Sequence, residues 1–508
     1  MAKLAIKSET AKQKGLFPID IDDLIPQTHI VRAVDALIDQ LDMTEIFGTY
    51  KGGGNSAFSP RTMVKIWVYA YLCNIYSSRK IEQALCENIT FMWLSGMRRP
   101  NWRTINYFRG KRLKVHFDNL FTQVVLLLSE QGFVTLKVQY VDGTKVESCA
   151  NKYTFVWRKS VEHNQSKLKA RLAALLQKIE QENEMESGEQ PTPDKMSVAD
   201  FRSRIEHIKS SIDVAKIEKS RQKALKDAEQ KSIPKLQEYD KHLSVMGERN
   251  SYSKTDTDAT FMRMKEDHML NGQLKPGYNI QQSTENQFIT HYEVFHNPTD
   301  FLTNIPYQES FAKRYGRYSD VVVADSGYGS EQNYQYFEQK GITAYVKYPL
   351  FHKEQHKTYQ ENAFLPNNWY YDKESDYYIC PMGQCMEHVQ DEQRVTDGGF
   401  KSVVSMYRAR NCEGCPLRGQ CHRARGNRQI EVNHRLNAYR RQARELLMSD
   451  EGVKYRSRRS TEPEAVFGQL KANGGFRRMR LRGKEGVGLE FGLKAMAHNI
   501  QKMHRKGV

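Results

Sequence analysis

Long hydrophobic runs are missing from this chain of 508 residues. The longest, Met63 to Tyr76 (MVKIWVYAYLCNIY), ends after about fourteen residues and contains Lys65, well short of the roughly 20 that a membrane helix needs. It reads as a buried core helix, and no membrane partner is expected. The opening MAKLAIKSET has neither an apolar centre nor a small-residue cleavage site, so no secretory signal is expected and a cytoplasmic, nucleoid-associated protein is. Cysteine is scarce, with 8 in the chain. In a cytosolic protein thiols stay reduced, which argues against a disulfide framework. Acidic residues thin out towards the end: from Lys401 to Val508, 9 Asp and Glu face 25 Lys and Arg, leaving +16 of the chain's +17 in the last fifth. A basic block of this size points to a polyanion partner. Its Arg456, Arg458, Arg459, Arg477, Arg478, Arg480 and Arg482 suit bidentate phosphate contacts.

What is present is an apolar content of 39%, adequate for globular packing, over a length that implies two or three domains. Two stretches organise the reading. In VTLKVQYVDGTKVE, Val134, Leu136, Val138 and Tyr140 recur every second residue, the period of a half-buried strand, and deliver Asp142 as Gly143 ends the run. Asp-Gly is also a common hairpin turn, so this stretch is ambiguous by itself. The second, DVVVADSGY from Asp320, is a continuous apolar run ending at Asp325. Two strands that stop at an acid suggest one shared crevice at the strand ends of an α/β sheet.

Taken in order, residues 1–132 read as an all-helical domain for DNA binding or dimerisation. Ile30, Val34, Leu37 and Leu41 share a helical face, Lys51 to Ser59 is a glycine-rich break, and Pro60 opens the apolar helix. Within Arg98 to Leu113, basic residues alternate with Trp102, Tyr107 and Phe108, which could stack on bases but at this spacing more often anchor a helix. Residues 133–159 begin the sheet domain. Residues 160–254 form a helical hairpin inserted into it, on the heptad-like spacing of Leu168, Leu172, Leu175 and Ile179, an acidic linker Gln181 to Asp194, and Phe201, Ile205, Ile208 and Ile212. Residues 255–349 resume the sheet, with two strands in Gly277 to Phe295 turning near Glu285 and Asn286, a helix from Phe301, the Asp325 strand, a further helix and a strand at Ile342 to Lys347. The order strand, strand, strand, helix, strand, helix, strand is that of a ribonuclease-H-like mixed sheet. The fold class expected is therefore α/β with an N-terminal helical domain and two insertions.

Residues 350–450 are the second, Cys-rich insertion, expected to be rich in loops. Cys380, Cys412, Cys415 and Cys421 are the expected ligands of one structural Zn2+, with Cys385 spare and His422 able to substitute. Residues 451–508 carry a last helix and the basic segment. Ser460 or Thr461 is expected to cap a helix with Pro463 in its first turn, so that Glu464 and Lys471, seven residues apart, project from one face. Glu464 is the candidate third acid and Lys471 a phosphate contact. Leu489, Leu493, Met496, Ile500 and Met503 make a stripe for packing against the sheet.

These motifs resemble those of bacterial insertion-sequence DDE transposases, in the branch with an N-terminal helical domain and a Cys-rich insertion before the last catalytic helix. VDGTKVE around Asp142, ADSGYGSEQNY from Ala324 and PEAVFGQLK from Pro463 carry the resemblance, supported by SPRTMVKIWVYAYL, TDTDATFMRMKED and KPGYNI. The resemblance implies that Asp142, Asp325 and Glu464 hold two Mg2+ or Mn2+ ions. It further implies an endonuclease and strand-transfer activity on double-stranded DNA, namely the element's terminal inverted repeats and a target, by a homodimer. Tyr455, Arg458 or Arg459, Glu464 and Lys471 match the family's last-helix pattern approximately. The Glu–Lys gap of seven is kept, the other gaps depart by a residue, and Glu462 stands as the alternative acid. A structure-selective nuclease on the same fold, or an inactive zinc-containing DNA-binding regulator, would share these residues.

Overall fold

The computed structural model describes residues 20–50, 56–182, 192–211, 218–264, 272–396 and 398–507. The first glycines of the break after Tyr50, most of the acidic linker, Ile212 and the end of TDTDATFMRMKED lie outside the described residues. The chain begins as helices, the longest being Ile30–Asp39, Pro60–Leu72, Ser78–Glu87 and Lys114–Glu130. The Pro60–Leu72 helix is buried on nearly all sides. Lys65 is tolerated inside it because its ammonium pairs with Asp35 at 2.5 Å and Asp39 at 2.8 Å on the Ile30–Asp39 helix. Phe108 is buried and anchors its segment, whereas Trp102 lies between the guanidinium groups of Arg79 and Arg103, 4.9 and 5.4 Å from its ring centre.

The sheet follows. Strand β1 (Val138–Glu147) is central; β2 (Phe155–Trp157) and β3 (Ser251–Ser253) form a separate ribbon; β4 (Thr260–Arg263), β5 (Leu274–Glu285), β6 (Phe288–Phe295), β7 (Val321–Ala324) and β8 (Thr343–Val346) complete the sheet. β5 runs antiparallel to β1 on one side, β7 parallel on the other, and β8 parallel to β7. The far edge of β5 pairs with β6 along Asn279 to Glu285 and with β4 along Leu274 to Gly277. The fold is thus mixed α/β with a helical start. The turn between β5 and β6 falls at Asn286 and Gln287, both with positive φ, as a tight hairpin turn requires.

Three expectations need correcting. First, β1 neither begins at Val134 nor ends at Gly143. The amide of Leu136 donates to the Glu285 carboxylate at 2.8 Å instead of to a neighbouring strand, and Leu136 has φ +59°, so pairing starts only at Val138. It then continues through Asp142 and Gly143, which pair with Gln282 and Gln281, so the Asp-Gly step is not a turn. Second, the insertion between β2 and β3 is more than a hairpin. Helices Arg158–Glu182, Val198–Ser211, Lys219–Asp227 and Ile233–Met246 enclose their own core of Leu172, Leu176, Ile179, Phe201, Ile205 and Leu236. Third, residues 350–450 hold ordered strands: β9 (Tyr371–Asp372), β10 (Tyr377–Ile379), β11 (Cys385–Val395), β12 (Lys401–Ala409) and β13 (Gln429–Val432) make an antiparallel sheet in the order 13-12-11-10-9. The exposed, mostly polar face of β11 carries no apolar alternation to reveal it.

The Lys484–Arg505 helix closes the molecule. Leu489, Leu493, Met496, Ile500 and Met503 are buried against β6, the Pro60–Leu72 helix and the Lys114–Glu130 helix. Helical start, sheet and last helix therefore share one hydrophobic core. No helix among the described residues is long and apolar enough to cross a membrane. Two histidines of this core set an acid limit. His498 bonds the Gln287 carbonyl oxygen at 2.9 Å, and burial, with Lys502 and Lys494 nearby, pushes its pKa down from 6.5 to about 4. Burial likewise lowers His291 well below 6.5. Both stay neutral in the fold while the unfolded chain takes up protons near 6.5, so their contribution is full above that pH and is lost as pH falls towards 4. The melting temperature is expected to drop between pH 6.5 and 4, and to drop less steeply in His498→Gln, measured by scanning calorimetry.

Candidate active site

The register of the parallel strands builds the first half of the site. Val138 pairs with Val321 and Tyr140 with Val323, and continuing that register by two residues sets Asp142 opposite Asp325. Adjacent strands lie about 4.8 Å apart, so the two acids stand side by side where β7 has ended and β1 runs on. Asp325 accepts from the Ser326 amide at 2.7 Å, which fixes the turn after β7. Asp142 is buried, its side chain 11% exposed, whereas that of Asp325 is 49% exposed.

A further acid, Asp300, packs over Gly143, the residue after Asp142, and had no signal in the spacing of the sequence. Its Oδ1 accepts from Asn279 at 2.8 Å and from Gln281 at 2.7 Å on β5. It occupies the space that a side chain at position 143 would need: a Cβ on Gly143 would lie 2.6 Å from Asp300 Oδ1 and would collide with Gln281 Nε2. Tyr328 donates to Gln281 on the same side, and burial, with Asp300 and Asp142 nearby, raises its pKa well above 10.

The third acid comes from a helical stretch longer than expected. Ser449, not Ser460 or Thr461, is the cap, accepting from the Gly452 amide at 3.1 Å. Helix Asp450–Arg458 passes through Arg459, itself helical at φ −57° and ψ −39°, into a wide π-type turn Ser460–Glu464, then Ala465–Gly468 and a second wide turn Gln469–Asn473. Pro463 lies inside this stretch and not at its start. It lacks an amide hydrogen and would crowd the preceding turn of an α-helix, which the wider turn relieves. Five residues per hydrogen-bonded turn also put Arg459 and Glu464 on one face. Glu464 reaches the site with its side chain 55% exposed. Glu462 does not: it is buried, accepts from the Gln287 amide at 2.7 Å on the β5–β6 turn, and burial raises its pKa.

At the centre lies a guanidinium. Arg459 approaches Asp142 at 3.5 Å, Asp325 at 3.4 Å and Glu464 at 3.9 Å, with its side chain only 8% exposed. Arg458 is exposed and takes no such position. Among the described residues no three Asp, Glu, His or Cys side chains stand close enough together to hold one metal ion, and at the acids it is Arg459 that lies between them. Lys347, just past β8, is close by; burial, then Arg459, lowers its pKa, and Asp325 and Glu464 oppose the shift.

A groove of about 250 Å³ leads away, lined by Asp142, Gly143, Glu464, Phe467, Lys471 and Arg477. Lys471 Nζ donates to the Lys145 carbonyl at 3.0 Å, and Arg478 donates to the Ser148 and Ala150 carbonyls, so the helical stretch and the basic segment are both fastened to β1 and its continuation. Arg480 covers the Tyr76 ring at 4.0 Å, and Arg477, Arg478, Arg480 and Arg482 are all exposed. In the antiparallel sheet, Cys380, Cys412, Cys415, Cys421 and His422 line one pocket of about 20 Å³, and Cys385 does not line it. Arg428 donates to Cys421 Sγ at 2.7 Å and, through its amide, to Cys412 Sγ at 3.3 Å.

Acids brought together beside a groove that Lys471 and Arg477 line, with Arg478, Arg480 and Arg482 exposed further along the chain, suit a class of protein that works on phosphate polymers. Residues 379–504 match the family model described as Transposase DDE domain, and residues 19–111 that described as Transposase domain (DUF772). A DDE domain implies an enzyme that cleaves or transposes nucleic acid. More particularly, two transposase matches in one chain support an insertion-sequence DDE transposase, the family its motifs resemble. The first match covers Glu464 and the cysteines of the antiparallel sheet; neither reaches Asp142 or Asp325. No curated protein and no solved structure matches the chain.

The crowding at Gly143 is directly testable. Gly143→Ala is expected to destabilise the protein by about 1–3 kcal/mol, the scale of an overpacked core, measured by denaturant melts. Gly110→Ala, where a Cβ meets nothing within 4 Å, serves as the control.

Proposed function

We propose that the protein is the transposase of a bacterial insertion sequence, binding the element's terminal inverted repeats and catalysing metal-dependent DNA cleavage and strand transfer. One observation carries this reading: Asp142, Asp325 and Glu464, from elements far apart in sequence, meet round one guanidinium at the mouth of a groove that Lys471 and Arg477 also line. The sheet order β6-β5-β1-β7-β8, with β5 antiparallel to β1, supports a ribonuclease-H-like catalytic domain.

Hard oxygen donors gathered about positive charge suit Mg2+ or Mn2+, and two such ions would be admitted once Arg459 no longer lies between the acids. Asp142, Asp325 and Glu464 would hold them. When bound, such ions supply the Lewis acidity that phosphodiester exchange needs. The chain itself supplies position. Asp142 is fixed by strand pairing on both sides of β1, Asp325 by its turn, and Glu464 by the wide helical turn. Lys471 and Arg477 in the groove, with the exposed Arg458, Arg478, Arg480 and Arg482, would hold the phosphates on either side of the reacting one. Arg459 is positioned to reach the same phosphate. In cleavage, a P–O bond to water oxygen forms as the bond to the 3′-oxygen breaks; in joining, the freed 3′-hydroxyl takes the place of water. Each step exchanges one P–O bond for another, so ATP is not consumed. Two ends cut together favour a homodimer acting at the nucleoid in the cytoplasm. Asp142→Asn, Asp325→Asn and Glu464→Gln are each expected to lower cleavage and joining by more than about a hundredfold, the scale of a lost transition-state stabiliser, while terminal-repeat binding persists in gel shifts. Cleavage by Asp142→Asn at the wild-type rate would refute the site.

For the cysteine pocket we propose one structural Zn2+ held by Cys380, Cys412, Cys415 and Cys421, with His422 the alternative ligand. The N–H···S contacts to Cys412 and Cys421 suit thiolates, and all four cysteines line one small pocket, in which an ion would draw them closer together. Purified protein is expected to carry about one equivalent of zinc by mass spectrometry, reduced in Cys415→Ser and unchanged in Cys385→Ser.

A further inference from the structure

Arg459 is placed as a cation among acids and not as the partner of one acid. Its three ion-pair distances, 3.5, 3.4 and 3.9 Å, are all longer than the 2.7–2.9 Å of a formed charge-assisted hydrogen bond. Its Nε is buried with no hydrogen-bond partner. A guanidinium tied into a permanent structural pair would be expected to lie fork to fork with one carboxylate, as Arg204 does with Glu180 in the helical insertion. Arg459 instead sits between three.

We propose that Arg459 is a built-in counter-cation that occupies the divalent-metal space in the DNA-free protein and leaves it when a DNA phosphate arrives, so that metal loading is coupled to DNA binding. The proposal rests on the metal reading of Asp142, Asp325 and Glu464 given above. Its physical basis is exclusion. An arginine stays charged at any pH the fold survives. A divalent ion held by the same three carboxylates would therefore meet a positive charge within a few ångströms, in a place where Asp142 and Arg459 are both shielded from water. One monovalent guanidinium does not match three carboxylates in charge, so a better-charged competitor can replace it once the arginine has another partner. A phosphate could reach it: Asp325 and Glu464 are half exposed, the groove with Lys471 and Arg477 opens beside Glu464, and a phosphate accepts a guanidinium bidentately. The wide turn beginning at Ser460 is what aims Arg459, rather than its exposed neighbour Arg458, inward.

The test measures Mn2+ binding to the full chain by electron paramagnetic resonance, which needs no turnover. Without DNA, Arg459→Met is expected to bind Mn2+ about tenfold or more tightly than the wild type, within the range usual for coupled sites. Arg459→Lys, which keeps the charge, is expected to stay near the wild type. Duplex DNA lacking terminal repeats is expected to tighten Mn2+ binding by the wild type and not by Arg459→Met. Melting curves guard against misfolding: Arg459→Met is expected to melt lower than the wild type without metal and to gain more from added Mn2+. Equal Mn2+ affinity in wild type and Arg459→Met, with binding lost in Asp142→Asn, would overturn the inference and leave the metal reading standing. No Mn2+ binding by any of the proteins would remove both. A tighter Arg459→Met with no effect of DNA on the wild type would overturn the coupling to DNA.

Discussion

The hydrogen bonding of β1 on both its edges is the constraint on which the rest of the molecule depends. Antiparallel pairing with β5 and parallel pairing with β7 fix its register twice, and a slip of one residue in either would turn Asp142 to the opposite face. The far end of the same strand organises the basic segment. The Met479 amide donates to the Glu147 carbonyl at 2.7 Å and the Glu147 amide to that of Arg477 at 3.4 Å, so Arg477 to Met479 lie along the end of β1 like a short extra strand. Acids at its middle and arginines at its tail are thereby held at a set separation by one backbone.

Much of this was legible in the sequence where one physical rule acted alone. The apolar run Val321 to Val323 is buried on both faces of the sheet, so it reads as a strand and leads directly to Asp325. The stripe in the last helix is plain as well, although the helix is buried on all sides from Leu489 to Ile500, polar residues included. Legibility failed where two rules competed. Val134 and Leu136 are as buried as their alternation implies, yet they precede the strand because Glu285 takes the amide of Leu136. The choice between Arg458 and Arg459 depended on side-chain direction in a helical stretch that widens at Ser460, which sequence periodicity does not encode. Asp300 was invisible because its role comes from β5 and Gly143, distant in the chain. The five-stranded sheet was read as loop because strands with an exposed polar face leave no hydrophobic pattern.

The N-terminal helices share a hydrophobic core with the sheet and the last helix. Gly492 in the last helix lets the Tyr292 and Phe117 rings close in, joining β6 to the Lys114–Glu130 helix through a position where any side chain would intrude. The helical start and β6 therefore pack into one core, and β6 pairs with β5, the strand opposite Asp142. Residues 19–111, the N-terminal transposase match, are thus packed together with the sheet that carries Asp142 although they contain none of the three acids.

The β2–β3 ribbon has a consequence for how the chain finds this arrangement. β1 must locate β5 across a long intervening stretch, and such distant pairings are the slow ones in folding. Trp157 and Ser251 are direct partners at the neck of the helical bundle, and the bundle has its own core. Once that bundle has closed, the two ends of the detour emerge side by side, and the separation along the chain between Glu147 and Gly277 is in effect cut by the length of the bundle. To the sheet, the whole insertion then behaves as a single tight loop, so its length can vary among related chains with little effect on the topology search that assembles the acids.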